Sequence, residues 1–152
     1  MSKKHEIMNI KQFLKLISIL AFLISTIGLF VFSVVDYGLI DKSYPKMIEM
    51  VNFNNVFSFG HLLSIILTLF GLAISIISIY LDKNKVIPLV LFIISLVACI
   101  LVFLSARMGA AYDNTDKFSL HGGAIFIGVL LAISTIACGI NSFRIWIMKK
   151  DN

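Results

Sequence analysis

Along this chain, polar and apolar positions separate into long blocks rather than alternating. Four windows hold no Asp, Glu, Lys or Arg: 16–35, 62–81, 86–106 and 122–143, of 20, 20, 21 and 22 residues. As helices rising 1.5 Å per residue, all four are long enough to cross a hydrocarbon core of about 30 Å. A buried helix of a water-soluble domain has no need of such length four times in succession. The pattern predicts an all-α fold, a four-transmembrane-helix bundle with spans at about 13–35, 58–81, 86–107 and 121–147, forming one integral membrane domain over 1–152.

A second pattern lies inside the blocks. At 100° per residue, His121, Ala124, Gly128, Ala132, Thr135, Gly139 and Ser142 fall within about 80° of one another on span four. Gly60, Ser64, Thr68, Gly71, Ser75 and Ser78 do the same on span two. In lipid, small residues on one helix face let a second helix come close. Gly60, Ser64, Gly71 and Ser75, with Gly128, Ala132 and Gly139, are therefore the expected packing positions, and the shared stripe predicts that spans two and four meet. Span one offers Ser18, Ala21 and Ser25. Span three is mostly Leu, Ile, Val and Phe, with Ser95, Cys99 and Ala106 on one side, and is expected to face lipid more than the others.

The connections refine this picture. Residues 82–85 make so short a link that spans two and three must be antiparallel neighbours. Pro88 falls in the first turn of span three, where a missing N–H costs little. In the first long loop, Pro45 and the apolar Met47, Ile48 and Val51 predict a short interfacial helix at 45–52. Ile7, Ile10, Phe13 and Leu14 suggest that the chain enters span one through a short amphipathic turn. The loops also rhyme: Asp41-Lys42 and then Ser58 and His61 in one, Asp116-Lys117 and then Ser119 and His121 in the other. Each serine is placed to cap a helix. The rhyme suggests two equivalent hairpins related by an axis along the membrane normal.

Charge fixes an orientation. With the N-terminus inside, nine Lys/Arg lie on inner segments (3, 4, 11, 15, 83, 85, 144, 149 and 150), and four on outer ones (42, 46, 107 and 117). The positive-inside rule then places both termini in the cytoplasm, with Arg144 and Trp146 anchoring the inner end of span four. The net charge of +5 follows from topology and requires no nucleic-acid partner. Hydrophobic residues are 59% and charged ones 14%, against about 25% charge in a soluble domain. The first apolar run exceeds the 7–15 residues of a signal-peptide core and lacks a small-residue cleavage site, so it is expected to remain as a span. Cys99 and Cys138 fall at different depths and are expected to be packing residues, not a disulfide.

The candidate chemistry is thin. His61 and His121 open spans two and four at equal depth, near Asp36, Arg107 and Tyr112. A helix N-terminus favours neutral imidazole, the form that binds metal, so an outer-face site with Asp36 or Asp113 is one reading. The other reading has both rings bonded to backbone carbonyls or headgroups, since no HxxxH, HExxH or CxxC spacing is present. No ionisable side chain sits in the middle of a span, which disfavours coupled transport by a single chain. Neither a phosphate loop nor a Ser-His-Asp spacing is found, and Asn141 is the one strong hydrogen-bonding side chain inside a span. The 36–59 loop holds no Trp or Cys, so the claudin-type signature is absent.

The expected role is a small non-enzymatic membrane protein that binds another membrane component, as a complex subunit, an immunity protein or a regulator. No cofactor is expected. The expected partners are the lipid bilayer and another membrane protein or a second copy, and the expected location is a cell (plasma) membrane. An oligomeric channel or transporter is the alternative, and a membrane enzyme or metal protein using His61 and His121 the second alternative.

Overall fold

The computed structural model describes residues 3–36, 45–51, 56–81, 86–108 and 119–147. Four helices dominate it: α1 (Lys3–Val31), α2 (Val56–Tyr80), α3 (Val86–Phe103) and α4 (Gly122–Ile147). All are long and apolar enough to cross a membrane, as a multi-pass protein requires. The charge-free windows set these lengths. Inside a bilayer a helix satisfies every backbone group within its own segment, so an apolar run of this length has few other choices.

The boundaries move where specific groups intervene. α1 begins well before the span start expected near residue 13 and runs without a break from Lys3, so the amphipathic turn expected around Ile7–Leu14 is part of the same helix. It ends at Val31, four residues early, because the next residues find other partners. Val34 N–H bonds Pro45 O at 2.9 Å, and His121 N–H bonds Val34 O at 3.0 Å. Val35 and Asp36 (β1) then pair antiparallel with Leu120 and Ser119 (β2). Beyond α3 the helical hydrogen bonds continue, Leu104 N–H to Ile100 O and Met108 N–H to Leu104 O, both at 2.9 Å. Pro88 is buried in the first turn of α3.

The helix expected at 45–52 is a single 3₁₀ turn, Met47–Met50. Lys46 precedes it, its backbone N–H bonded to Glu49 Oε2 at 2.8 Å. Met47 is fully buried against α1 and α2, while Ile48 points outward. Ser58 and Ser119 are not caps. α2 already starts at Val56, and Ser119 lies in β2. The residue that starts α4 is His121, whose carbonyl accepts Ala124 N–H at 3.0 Å. The Asp41-Lys42 and Asp116-Lys117 pairs and the 82–85 turn lie outside the described residues, as does the side chain of Trp146.

The helices form a closed ring in the order α1, α2, α3, α4, with α1 and α4 in contact. Two sequence expectations fail here. α2 and α4 do not pack on each other; they sit across the diagonal, and the neighbours of α4 are α3 and α1. Nor is span three the most lipid-facing, because α3 makes the most extensive packing of all, against α4, and is more buried than α1 or α2. The reason lies in what fills the small-residue faces. Gly128 receives Phe103 of α3, with the ring edge 2.5 Å from where a Cβ would stand, and Gly139 receives Phe92 at 3.2 Å. Gly71 receives Phe22 of α1. A stripe of small residues is a socket, and here the knobs are phenylalanines from adjacent helices rather than a second stripe.

Candidate functional site

The loop end of the bundle holds both histidines. His61 sits in the second turn of α2 and is 2% exposed. Its Nε2 lies 3.2 Å from Ser105 O, on the helical turn that continues α3. His121 is half-buried, with Nδ1 3.1 Å from Ser33 O at the end of α1. Gly123 N–H also approaches that nitrogen, at 3.4 Å. One nitrogen cannot donate and accept at once. The tautomer decides which of the two bonds forms: Nδ1–H donates to Ser33 O, and a bare Nδ1 accepts from Gly123 N–H.

These two contacts correspond under an exchange of hairpins. His61 of the first hairpin (α1–α2) reaches a serine carbonyl at the end of α3, and His121 of the second (α3–α4) reaches one at the end of α1. The buried faces agree with the same exchange. Ser64, Thr68, Gly71, Ser75 and Ser78 on α2 are buried, and so are Ala124, Gly128, Leu131, Thr135 and Cys138, each sixty positions later on α4. The buried positions of α2 and α4 thus follow one spacing along the two helices.

In chemical terms, both rings tie helix starts to helix ends. An imidazole N–H bonded to a carbonyl at a helix end gives that backbone group a partner inside the bundle. Among the described residues no group of three or more His, Cys, Asp or Glu is placed to hold a metal ion. Of the other residues proposed for an outer site, Arg107 is exposed at the end of the turn after α3. The side chain of Asp36, and Tyr112 and Asp113 entirely, lie outside the described residues.

The packing positions are occupied as sockets along the ring. Met108 covers Gly60, Phe22 covers Gly71, Phe103 covers Gly128 and Phe92 covers Gly139. Ser64 and Ser75 are buried and bond back into their own helix, to His61 O and Leu72 O, both at 2.8 Å. Ala132 is half-buried against the core. The hydroxyls and thiols also link helices. Ser18 Oγ lies 3.1 Å from Ser134 Oγ and 3.2 Å from Cys138 Sγ, joining α1 to α4. Thr135 Oγ1 is 3.1 Å from Ser95 Oγ, and Cys99 Sγ bonds Gly128 O at 3.3 Å, joining α3 to α4. Both cysteines are free thiols with separate partners. Ser25 Oγ and Ser105 Oγ are buried with no hydrogen-bond partner among the described residues.

Sequence reasoning missed a cavity at the opposite, terminal end, where all four helices contribute walls. It encloses about 20 Å³ and is lined by Lys11, Lys15, Ser18, Ser78, Cys138 and Asn141, among others. Lys15 Nζ bonds Ser78 O at 2.5 Å, in the last turn of α2. The spacing of Lys11, Lys15 and Ser18 on one helical face was available in the sequence. What was not available is that this face meets Asn141, more than a hundred residues away. No protein-family model, curated protein or solved structure matches this chain.

Proposed function

We propose that this protein is a small non-enzymatic component of a cell membrane that acts by binding another membrane protein, as a complex subunit, an immunity protein or a regulator. In this reading both termini are cytoplasmic, following the excess of Lys and Arg on the segments at the terminal end. The observation that carries it is how the interior is used. Large side chains fill the glycine sockets at the ring's interfaces, and the buried hydroxyls, thiols and imidazoles bond mostly to backbone carbonyls or to one another. A core so committed to its own cohesion leaves the outside surfaces as the working part.

One outer surface is built more firmly than a loop needs to be. At the loop end, β1 pairs with β2, Ser33 bridges Lys46, and the 3₁₀ turn is anchored by buried Met47. This cap holds Ile48 and Glu49 outward from a fixed base. A rigid apolar and charged pair is suited to docking, since little ordering entropy remains to be lost on contact.

A photo-crosslinking residue at Ile48, activated in native membranes, tests the proposal. The expected result is an adduct of discrete mass with one protein, missing when the crosslinker stands at lipid-facing Ile77. Adducts with lipid alone at both positions would overturn it.

A further inference from the structure

The cavity at the terminal end has the size of one water molecule and walls that can bond one. It encloses about 20 Å³, where a water needs roughly 10–15 Å³. Size alone decides nothing, because an apolar cavity of this kind stays dry. Here only the α3 wall is apolar, made by Ile87, Pro88 and Leu91. The others bring hydroxyls from Ser18 of α1 and from Ser75 and Ser78 of α2, and the Asn141 amide from α4. Ser75 Oγ donates to Leu72 O at 2.8 Å, and Ser78 Oγ donates to Ser75 O at 2.6 Å. A hydroxyl has one proton and two acceptor positions, so spending the proton leaves each oxygen able to accept. The α2 wall therefore calls for a donor, and water carries two protons. The Asn141 amide has both N–H groups and a carbonyl, so it can bond that same water in either sense.

We infer that this cavity is a binding site for a single water molecule, which donates to the Ser75 and Ser78 hydroxyls and bonds the Asn141 amide. The consequence is structural. α2 and α4 sit across the diagonal of the ring and do not pack on each other. The water is the tie between them at the terminal end, where lipid could supply no hydrogen bond of its own. The inference goes beyond the proposed partner binding and stands whether or not that partner exists.

The test is X-ray radiolysis of the full chain in detergent micelles, read by mass spectrometry. Radiolysis turns bound and bulk water alike into hydroxyl radicals, which oxidise the side chains nearest to them. The two thiols give an internal comparison, because Cys138 lines the cavity and Cys99 does not. By exposure alone Cys99, at 9%, should react faster than Cys138, at 5%. A water in the cavity reverses that order, and Cys138 is expected to be oxidised several-fold faster than Cys99. Asn141→Leu removes the amide at similar volume, and Ser75→Val replaces a hydroxyl with methyl groups. Each should bring Cys138 down to the Cys99 rate, and either carries the comparison if the other does not fold. Gly122→Ala, at the opposite end with nothing within 4 Å of the new Cβ, should leave the difference intact. Oxidation of Cys138 no faster than that of Cys99 in the wild-type chain, or a fast rate that survives in the folded cavity variants, would overturn the inference.

Discussion

Gly71→Ala is the sharpest perturbation of the packing. A Cβ at Gly71 would lie 2.5 Å from Phe22 Cζ and 2.9 Å from Phe22 Cδ1, far inside van der Waals contact. Phe22 is fully buried, so its ring has no open space to enter without moving α1 or α2. Two effects compete. Alanine gains about 1 kcal/mol over glycine in a helix interior. Overpacking a filled core costs about 1–3 kcal/mol. The clash should win, leaving Gly71→Ala destabilised by up to about 2 kcal/mol. Two other glycines calibrate the result. At Gly139 the nearest atoms, Phe92 Cδ2 and Cε2, lie at 3.2 and 3.3 Å on a ring that is only half-buried, so a shift of a few tenths of an ångström suffices. At Gly122 nothing lies within 4 Å of the new Cβ. The expected order of stability loss is Gly71, then Gly139, then Gly122, measured by reversible unfolding in mixed detergent micelles with helix content as the signal. Adding Phe22→Leu to Gly71→Ala should recover about 1 kcal/mol relative to the sum of the single changes. If Gly71→Ala were as stable as Gly122→Ala, the Phe22 socket would be refuted.

Other consequences are read by the same unfolding assay. Ser25→Ala and Ser105→Ala should each stabilise the bundle by about 1 kcal/mol, because each removes a buried hydroxyl that has no described partner; a loss of stability would mean the hydroxyl is engaged. Ser18→Ala should instead destabilise by about 0.6 kcal/mol, the average worth of a hydrogen bond between membrane helices, and the effect should shrink when Ser134 is already alanine. His61→Ala should cost about 1–3 kcal/mol by removing a buried ring together with its bond to Ser105 O, whereas a strong chelator should leave the melting of the wild-type chain unchanged; a chelator-dependent drop would point back to a metal. Cysteines introduced at Gly28 and Ile127 should crosslink under mild oxidation, since Ile127 Cγ1 lies 2.9 Å from a Cβ built at Gly28, while a pair joining α2 to α4 should not.

The helices were legible because absence of charge over some twenty positions is a local property, and lipid leaves such a segment one satisfactory backbone conformation. Neighbour choice was not. Gly71 and Gly128 announce that something comes close, but the identity of the visitor is written on Phe22 and Phe103, which read in one dimension as ordinary lipid-facing bulk. Span three was misjudged for that reason: its phenylalanines are knobs. The cap was also illegible, since pairing only Val35 and Asp36 with Leu120 and Ser119 leaves no alternating pattern to detect. The histidines were visible as candidates, yet only the fold shows their rings spent on Ser105 and Ser33 carbonyls. The terminal cavity needed the closed ring before Lys11, Lys15 and Asn141 could be seen together.

The most direct test of the binding role is purification of the tagged chain from its native membranes in mild detergent, followed by measurement of particle mass and composition. The account predicts a second protein at fixed stoichiometry that is lost when Ile48 is replaced by serine, with the helical fold intact. A homogeneous single chain, carrying lipid but no second protein across several mild detergents, would contradict it.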